Sequence, residues 1–411
     1  MKLGSLIKAY RIRKNITQRE LASGICSTPH LSKIENNTKE VNQDTLKLLL
    51  EKLDIDLKEV HEKEEKIGKL LDELHTAIIY IQRDKAAEIY NSLEELEELI
   101  LYSSYINQFS LMKLRYYTFC GDLEKAEEHK SMLLKNKKNF SQQDHYSFTY
   151  YSAILLMTEN KYEEAEELFM QLLTTNFLSK DIGEFYYYMA LTKSLKEEPG
   201  VSVHYAKKAL ALFSENYNFI RIIHTLMLLG IHYTHTRIFK EAIDCYEHLL
   251  RSLEIFKDQE NLRPQIYHNM AYLYRKLEDN GEALKYYKLS LELQDPASPY
   301  YLTSLYGYAD LLYIENMEDS FPAFKKLKTL AKKSGIKKYQ HLAEYHLLLF
   351  KNEDEAFHYL ENHLLPMLEK DNLQKVHGEE LYSVLEKHYK SKGMYKEAIT
   401  YMEKSQQLFQ N

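Results

Sequence analysis

Tryptophan is absent from the 411 residues, and glycine (12), proline (7) and cysteine (3) are all scarce. So few glycines and prolines leave too little turn chemistry for a many-stranded sheet, and the chain reads as all-α. Cys26, Cys120 and Cys245 lie far apart with no Cys-x-x-Cys pair, which argues against a disulfide framework or a zinc site and for a reducing setting. The longest apolar runs, such as Ala77-Ile78-Ile79-Tyr80-Ile81, fall far short of the roughly 20 residues of a membrane span, and the N-terminus has no apolar signal region. A cytoplasmic protein with no membrane partner is expected. Also missing are a Gly-rich phosphate loop, a nucleophile elbow, and any carboxylate or Cys that would complete a metal set with His224, His232 and His235. No enzyme, cofactor or metal site is therefore expected.

What is abundant is tyrosine, 35 residues of it, mostly inside helical stretches where a ring can pack and keep a polar tip. Charge is unevenly placed. Residues 1 to 39 hold eight Lys/Arg against two acids, a local +6 inside a chain of net −7, as expected of a phosphate-binding module on an acidic body. Within that basic stretch, Thr17 can cap a helix with Glu20 three positions on as its capping-box partner. The helix ends near Gly24, Ile25-Cys26 make a turn, and Ser27 caps a second helix whose Leu31 and Ile34 face inward. That is a helix-turn-helix, with Thr28, His30, Lys33 and Asn37 on the outer face.

Beyond a charged connector, Glu62-Lys63-Glu64-Glu65-Lys66, an alanine recurs at Ala126, Ala165, Ala206, Ala242, Ala283, Ala323, Ala356 and Ala398. The spacing of about 33 to 42 residues is that of a helical solenoid of about eight helix pairs, each alanine opening a second helix. The clearest unit runs Tyr267-His268-Asn269-Met270-Ala271-Tyr272-Leu273-Tyr274, then Gly281-Glu282-Ala283, then Tyr287 and Leu291 to Asp295-Pro296. It resembles the tetratricopeptide repeat, in which small residues allow close helix approach. The stretch from Leu3-Gly4-Ser5-Leu6 through Thr17-Gln18-Arg19-Glu20-Leu21 to Leu31-Ser32-Lys33-Ile34-Glu35-Asn36 resembles the Xre/Cro-type helix-turn-helix, so the expected fold is that domain followed by a right-handed α-solenoid of tetratricopeptide-like repeats. Its expected parts are residues 1–61 for the DNA-binding domain, 62–75 for a charged helical linker, and 76–411 for the array.

These two motifs in this order resemble the RRNPP family of peptide-pheromone receptors. The resemblance implies a quorum-sensing transcription regulator whose array binds a short imported signalling peptide in its concave groove and carries dimerisation, with Asn side chains on the first helix of each repeat clamping the peptide backbone. Asn269 matches that position, whereas Tyr151, Tyr188 and Leu228 stand at the corresponding places in other repeats. Two other readings share the architecture: an adaptor that sequesters a response-regulator protein of the sporulation-phosphorelay type, and a prophage lysogeny regulator.

On DNA, Arg11, Arg13, Gln18 and Lys39 are expected at phosphates, and Thr28 and Lys33 at base edges, with His30 at either. Ser27 and Asn37 complete the expected surface. One copy reads one half-site, so a homodimer on an inverted-repeat operator follows. For the peptide, inward positions of the first helices nominate Tyr151, Ile154, Tyr188, Leu191, Ile231, His235, Asn269, Tyr272, Tyr306 and Asp310. Arg275 and Arg115 are the candidate anchors for a peptide carboxylate.

Overall fold

The structure is a computed structural model that describes residues 3–38, 42–175, 182–370 and 374–407. Helices account for nearly all of it, and no strand occurs among the described residues. None of the described helices is long and apolar enough to cross a membrane. The chain divides into two compact units, Met1–Leu228 and Leu229–Asn411, rather than at the charged connector.

The first unit opens with α1 (Leu3–Arg13), α2 (Gln18–Ala22), α3 (Thr28–Glu35) and α4 (Gln43–Lys52). The Thr17/Glu20 capping box starts α2, and the Ser27 side chain accepts from the His30 N–H to start α3. Leu6, Ile7, Leu21, Leu31, Ile34, Leu49 and Leu53 close into one core. At about 1.5–3 kcal/mol for each fully buried side chain, this core holds four short helices that would be marginal in isolation.

The next helix, α5 (Leu57–Ile79), runs without a break through the expected linker, residues 62–75. Its first turn adds Val60 to the helix-turn-helix core, while Ile67, Leu71, Leu74, Ala77 and Ile78 belong to the core of the first repeats. Val60 and Ile67 are buried on either side of the connector's charges, and Glu64 between them accepts from the Ser104 N–H and hydroxyl, which holds this stretch as helix. Helix α6 (Arg83–Glu94) packs on α5 with its Ala86 fully buried, making a helix pair that the alanine spacing had not revealed. After a short α7 (Glu97–Ile100) come α8 (Ile106–Cys120) with α9 (Leu123–Asn136), α10 (Gln142–Thr158) with α11 (Tyr162–Leu173), and α12 (Ile182–Leu195) with α13 (Pro199–Glu215).

Helix α14 (Phe219–His235) spans the division between the units, and α15 (Phe239–Ile255) follows. The second unit then pairs α16 (Arg263–Lys276) with α17 (Asn280–Glu292), and α18 (Pro299–Ile314) with α19 (Ser320–Ser334). Helix α20 (Lys337–Leu349) meets α21 (Glu353–Tyr359), which continues through a π-helical turn, Leu360–Leu364, into α22 (Leu365–Lys370). Pro366 explains that wide turn: it offers no N–H and its ring crowds the carbonyl one turn back. Helices α23 (Gln374–Ser391) and α24 (Tyr395–Gln407) complete the described chain.

Seven of the eight marker alanines are the fourth residue of a second helix, Ala206 sits at the middle of α13, and six of the eight, including Ala126, Ala165 and Ala283, are fully buried. Close approach also explains Gly230, where a Cβ would stand 2.7 Å from the Tyr246 ring. Tyr246 and Tyr287 are among the largest fully buried side chains, as expected of tyrosines that pack between helices.

Candidate functional sites: a DNA-reading helix and two buried charge clusters

Helix α3 separates two kinds of residue that the sequence had grouped together. Its buried Glu35 accepts a bidentate pair from Arg11, with Nε at 2.6 Å and Nη2 at 3.0 Å, and takes Gln18 Nε2 at 2.7 Å. The Arg11 guanidinium is held above its ordinary pKa chiefly by that bond. Arg11 and Gln18, expected at phosphates, are instead the ion pair and hydrogen bond that fasten α1 and α2 to α3. These partnerships were hidden because Glu35 reads as an exposed acid in Ser32-Lys33-Ile34-Glu35-Asn36, whereas only 2% of it is exposed.

Asn37 is likewise committed within the domain. It adopts a left-handed φ of 52°, accepts from the Gly4 N–H at 3.1 Å and donates to Ser5 Oγ at 2.7 Å. Gly4 is required there, since a Cβ would sit 1.9 Å from the Ile34 carbonyl. Ser27 is the helix cap. Arg13 is exposed and ion-paired to the exposed Glu98 at 3.2 Å, a contact worth little in water. Lys39 lies outside the described residues. Lys33 is exposed and Thr28 and His30 partly so, and none of the three side chains has a protein partner among the described residues. These are the groups on α3 able to reach a groove.

In the first unit the array candidates gather around a residue not singled out from the sequence. Glu184 on α12 takes Arg115 Nη2 at 2.7 Å and Arg221 Nη2 at 2.5 Å on one oxygen, and the Tyr150 hydroxyl at 3.0 Å on the other. Glu184, Arg115 and Arg221 are each less than 5% exposed. Burial disfavours the Glu184 charge, yet the two guanidiniums outweigh it and hold the carboxyl below its usual range. Burial likewise opposes the Arg115 charge, and Glu184 more than restores it. Arg115, expected as an anchor for a ligand, is therefore matched by a carboxylate of the protein. Its guanidinium also lies over the rings of Tyr188 and Tyr151, the latter buried against Met112. Ile154 is buried core, and Leu191 packs against the same core from its edge. The missed residues did leave a signal: Glu184 and Arg221 are single charges inside the apolar stretches Gly183-Glu184-Phe185 and Ile220-Arg221-Ile222.

In the second unit, Arg275 on α16 places Nη2 2.7 Å from Asp310 Oδ2 on α18, so this anchor too is answered within the protein. His346 on α20 stacks on Phe324 with ring centroids 4.2 Å apart and brings Nε2 to 3.7 Å from the other Asp310 oxygen. Its buried Nδ1 has no hydrogen-bond partner among the described residues. Burial pushes this imidazole down to about 4 against the pull of Asp310. The Tyr306 ring lies 6.0 Å from that of His346, and Tyr272 lies 5.6 Å from His235. Asn269 is partly buried one turn before Tyr272 on α16, and Ile231 is partly buried on α14.

The helix-turn-helix family model matches residues 7–60, and the tetratricopeptide-repeat model matches residues 264–295. The transcriptional activator NprA of Geobacillus stearothermophilus is 26% identical over 414 residues, covering 95% of this chain and 99% of that protein. The apo form of the quorum sensor NprR from B. thuringiensis is 23% identical with a TM-score of 0.74, covering 84% of this chain and 99% of that one. NprR in complex with its cognate peptide NprX gives a TM-score of 0.62 at the same identity and coverage. Aspartyl phosphate phosphatase F from Bacillus subtilis, 18% identical, covers 84% of this chain and 94% of its own at a TM-score of 0.55.

Proposed function

We propose that this chain, which belongs to the RRNPP-type quorum-sensing regulators, is a cytoplasmic transcription regulator that binds operator DNA as a dimer through α3 and answers to a short peptide bound by its repeat array. The observation that carries the reading is α3 itself. Its cap and its Glu35 anchor are satisfied within the domain, while Thr28, His30 and Lys33 remain available on a domain of local charge +6. Arg13 and Lys39 add phosphate contacts, and binding is salt-sensitive.

The near full-length likeness to a transcriptional activator supports this reading, and the solved peptide complex of NprR supports a peptide as the array's ligand. Asn269, Tyr272, His235 and Tyr306 in the second unit are the side chains proposed to meet that peptide. Arg275 and Arg115 play a different part from a bare anchor, since a peptide carboxylate has to share them with Asp310 and Glu184. Dimerisation is placed on the array. Tyr395, Ile399 and Met402 form an exposed apolar stripe along α24, which supports that placement.

The alternative is an adaptor in which the array holds a response-regulator protein; the regulatory protein RapD of Bacillus subtilis is 26% identical over 163 residues, 38% of this chain and 45% of that protein. Footprinting of the DNA upstream of this chain's gene, with and without synthetic peptides of roughly five to ten residues drawn from any short reading frame beside that gene, tests the regulator. Protection of an inverted repeat that changes with peptide is expected. No protection in either state overturns the reading in favour of the adaptor.

A further inference from the structure

Helix α5 carries residues of the helix-turn-helix core at one end and of the repeat core along the rest. At 1.5 Å per residue its 23 residues form a rod of about 35 Å. The end remote from the DNA-reading domain is unusually well held. A helix leaves its last carbonyls without intrahelical partners. Here the carbonyl of Ile79, the final residue, accepts Arg221 Nε at 3.1 Å and Asn218 Nδ2 at 3.4 Å. Beside it the Tyr80 hydroxyl donates to the Asn216 carbonyl at 3.2 Å. A cation at a helix C-terminus also complements the helix dipole.

Arg221 does not act alone. The guanidinium that holds Ile79 is buried because Glu184 pairs with its other edge, and that carboxylate is fixed in turn by Arg115 and Tyr150. Helices α8, α10, α12 and α14 thus converge on one carboxylate, and the fork of Arg221 carries its position to the end of α5. A planar fork that donates from Nε to one acceptor and from Nη2 to another fixes the distance between them, which a single ammonium cannot do.

We infer that Glu184 and Arg221 are positioning residues, a latch that sets where α5 ends on the repeats and so the orientation in which the helix-turn-helix is presented. A shift of α12 or α14 moves the latch, and a stiff helix passes the movement to the core that it shares with α3. The consequence for DNA rests on the function proposed above, but the latch itself does not.

The test exploits the asymmetry of the two arginines. Both pair with Glu184, whereas Arg115 also contacts Tyr188 and Tyr151, and the bonds to Ile79 come from Arg221 and Asn218. In the full chain, Arg221→Lys and Arg115→Lys are compared by hydrogen exchange of residues 74–81 and by the spin–spin distance between labels at the exposed Lys8 and Glu124. Neither readout uses DNA, so failure of the latch and failure of the DNA reading are distinguishable. Arg221→Lys is expected to speed exchange at the end of α5 several-fold and to broaden or shift the distance, and Arg115→Lys to leave both near wild type. Equal effects in the two variants, or none in either, overturn the inference by reducing the cluster to a shared packing role. Should Arg221→Lys not fold, Asn218→Asp decides. It keeps the oxygen that caps α14 but loses the donor to Ile79, and unchanged exchange at residues 74–81 overturns the latch.

Discussion

Arg275 and Asp310, one repeat apart in sequence, meet at 2.7 Å with side chains 20% and 12% exposed. The pair is more than decoration on a groove, because removing the carboxylate leaves a guanidinium in a site with little water to solvate it. Asp310 and its neighbours Tyr306 and His346 therefore belong to the stability of the second unit as much as to any ligand.

Asp310→Ala is expected to destabilise the protein by on the order of 3 kcal/mol, as buried pairs do when one partner is lost. Denaturant midpoints report this directly. A loss below about 1 kcal/mol would mean that Arg275 relaxes into solvent and that the pair behaves as a surface contact.

The DNA-reading domain separates stability from recognition. Lys33→Ala is expected to weaken operator binding by roughly 1–3 kcal/mol and relax base preference at one position, with the unfolding midpoint unchanged. Arg11→Ala strands Glu35 in the core and is expected to cost about 3–5 kcal/mol of domain stability. Paired urea melts and binding curves check both. Equal stability losses in the two variants would return Arg11 to the DNA surface and take Lys33 off it.

These cases show what the sequence could and could not express. Helix starts were legible because caps are local chemistry: Thr17 with Glu20 and Ser27 with the His30 amide need only a fixed spacing. The repeat period was legible because each second helix demands a small residue at its close approach. Partnerships across 24 to 69 residues, such as Arg11 with Glu35 and Arg115 with Glu184, have no spacing rule. A basic side chain bound for a buried acid looks in sequence like one bound for a phosphate. The connector's charges fill the interval between buried Val60 and Ile67 of α5, and from Ile67 to Ile78 the buried face is apolar. The π-helical turn at Leu360–Leu364 was foreshadowed only by Pro366. It holds Glu361, which accepts from the Tyr389 hydroxyl at 2.8 Å and from that of Tyr401.

Acid should weaken the second unit in a definite window. The pKa of His346 falls from about 6.5 unfolded to about 4 folded, so between those values the unfolded chain binds a proton that the folded one refuses. The stability that the neutral imidazole contributes is fully present above pH 6.5 and lost as pH falls toward 4. Between pH 7 and pH 5 this one group accounts for about 2 kcal/mol. His346→Gln is expected to flatten the pH dependence by that amount, as read from denaturation midpoints at the two pH values. Parallel curves for variant and wild type would contradict a buried neutral His346.

The apolar stripe on α24 gives the dimer prediction. Replacing Ile399, 52% exposed between Tyr395 and Met402, with Glu places a charge at the centre of the proposed contact. Light scattering is expected to show a dimer for the wild type and a monomer for Ile399→Glu. A dimer in both proteins would place the interface elsewhere on the chain, and a wild-type monomer would sink the dimeric operator reading.

Asn269 provides the sharpest test of the array's ligand. An extended peptide of roughly five to ten residues loses water from its amides as it docks, and a side chain that both donates and accepts can satisfy a backbone N–H and C=O together. Asn269 stands partly buried on α16, on the same helix as Tyr272 and Arg275. Without its amide the docked peptide has a donor or acceptor unpaired, at a cost of about 1–3 kcal/mol, or roughly one to two orders of magnitude in affinity. Titration calorimetry of the peptide that changes the DNA footprint, against wild type and Asn269→Ala, decides the matter. A peptide that binds both equally is held by residues other than Asn269. A peptide that binds neither, while a response-regulator protein binds both, moves the adaptor reading ahead of the regulator.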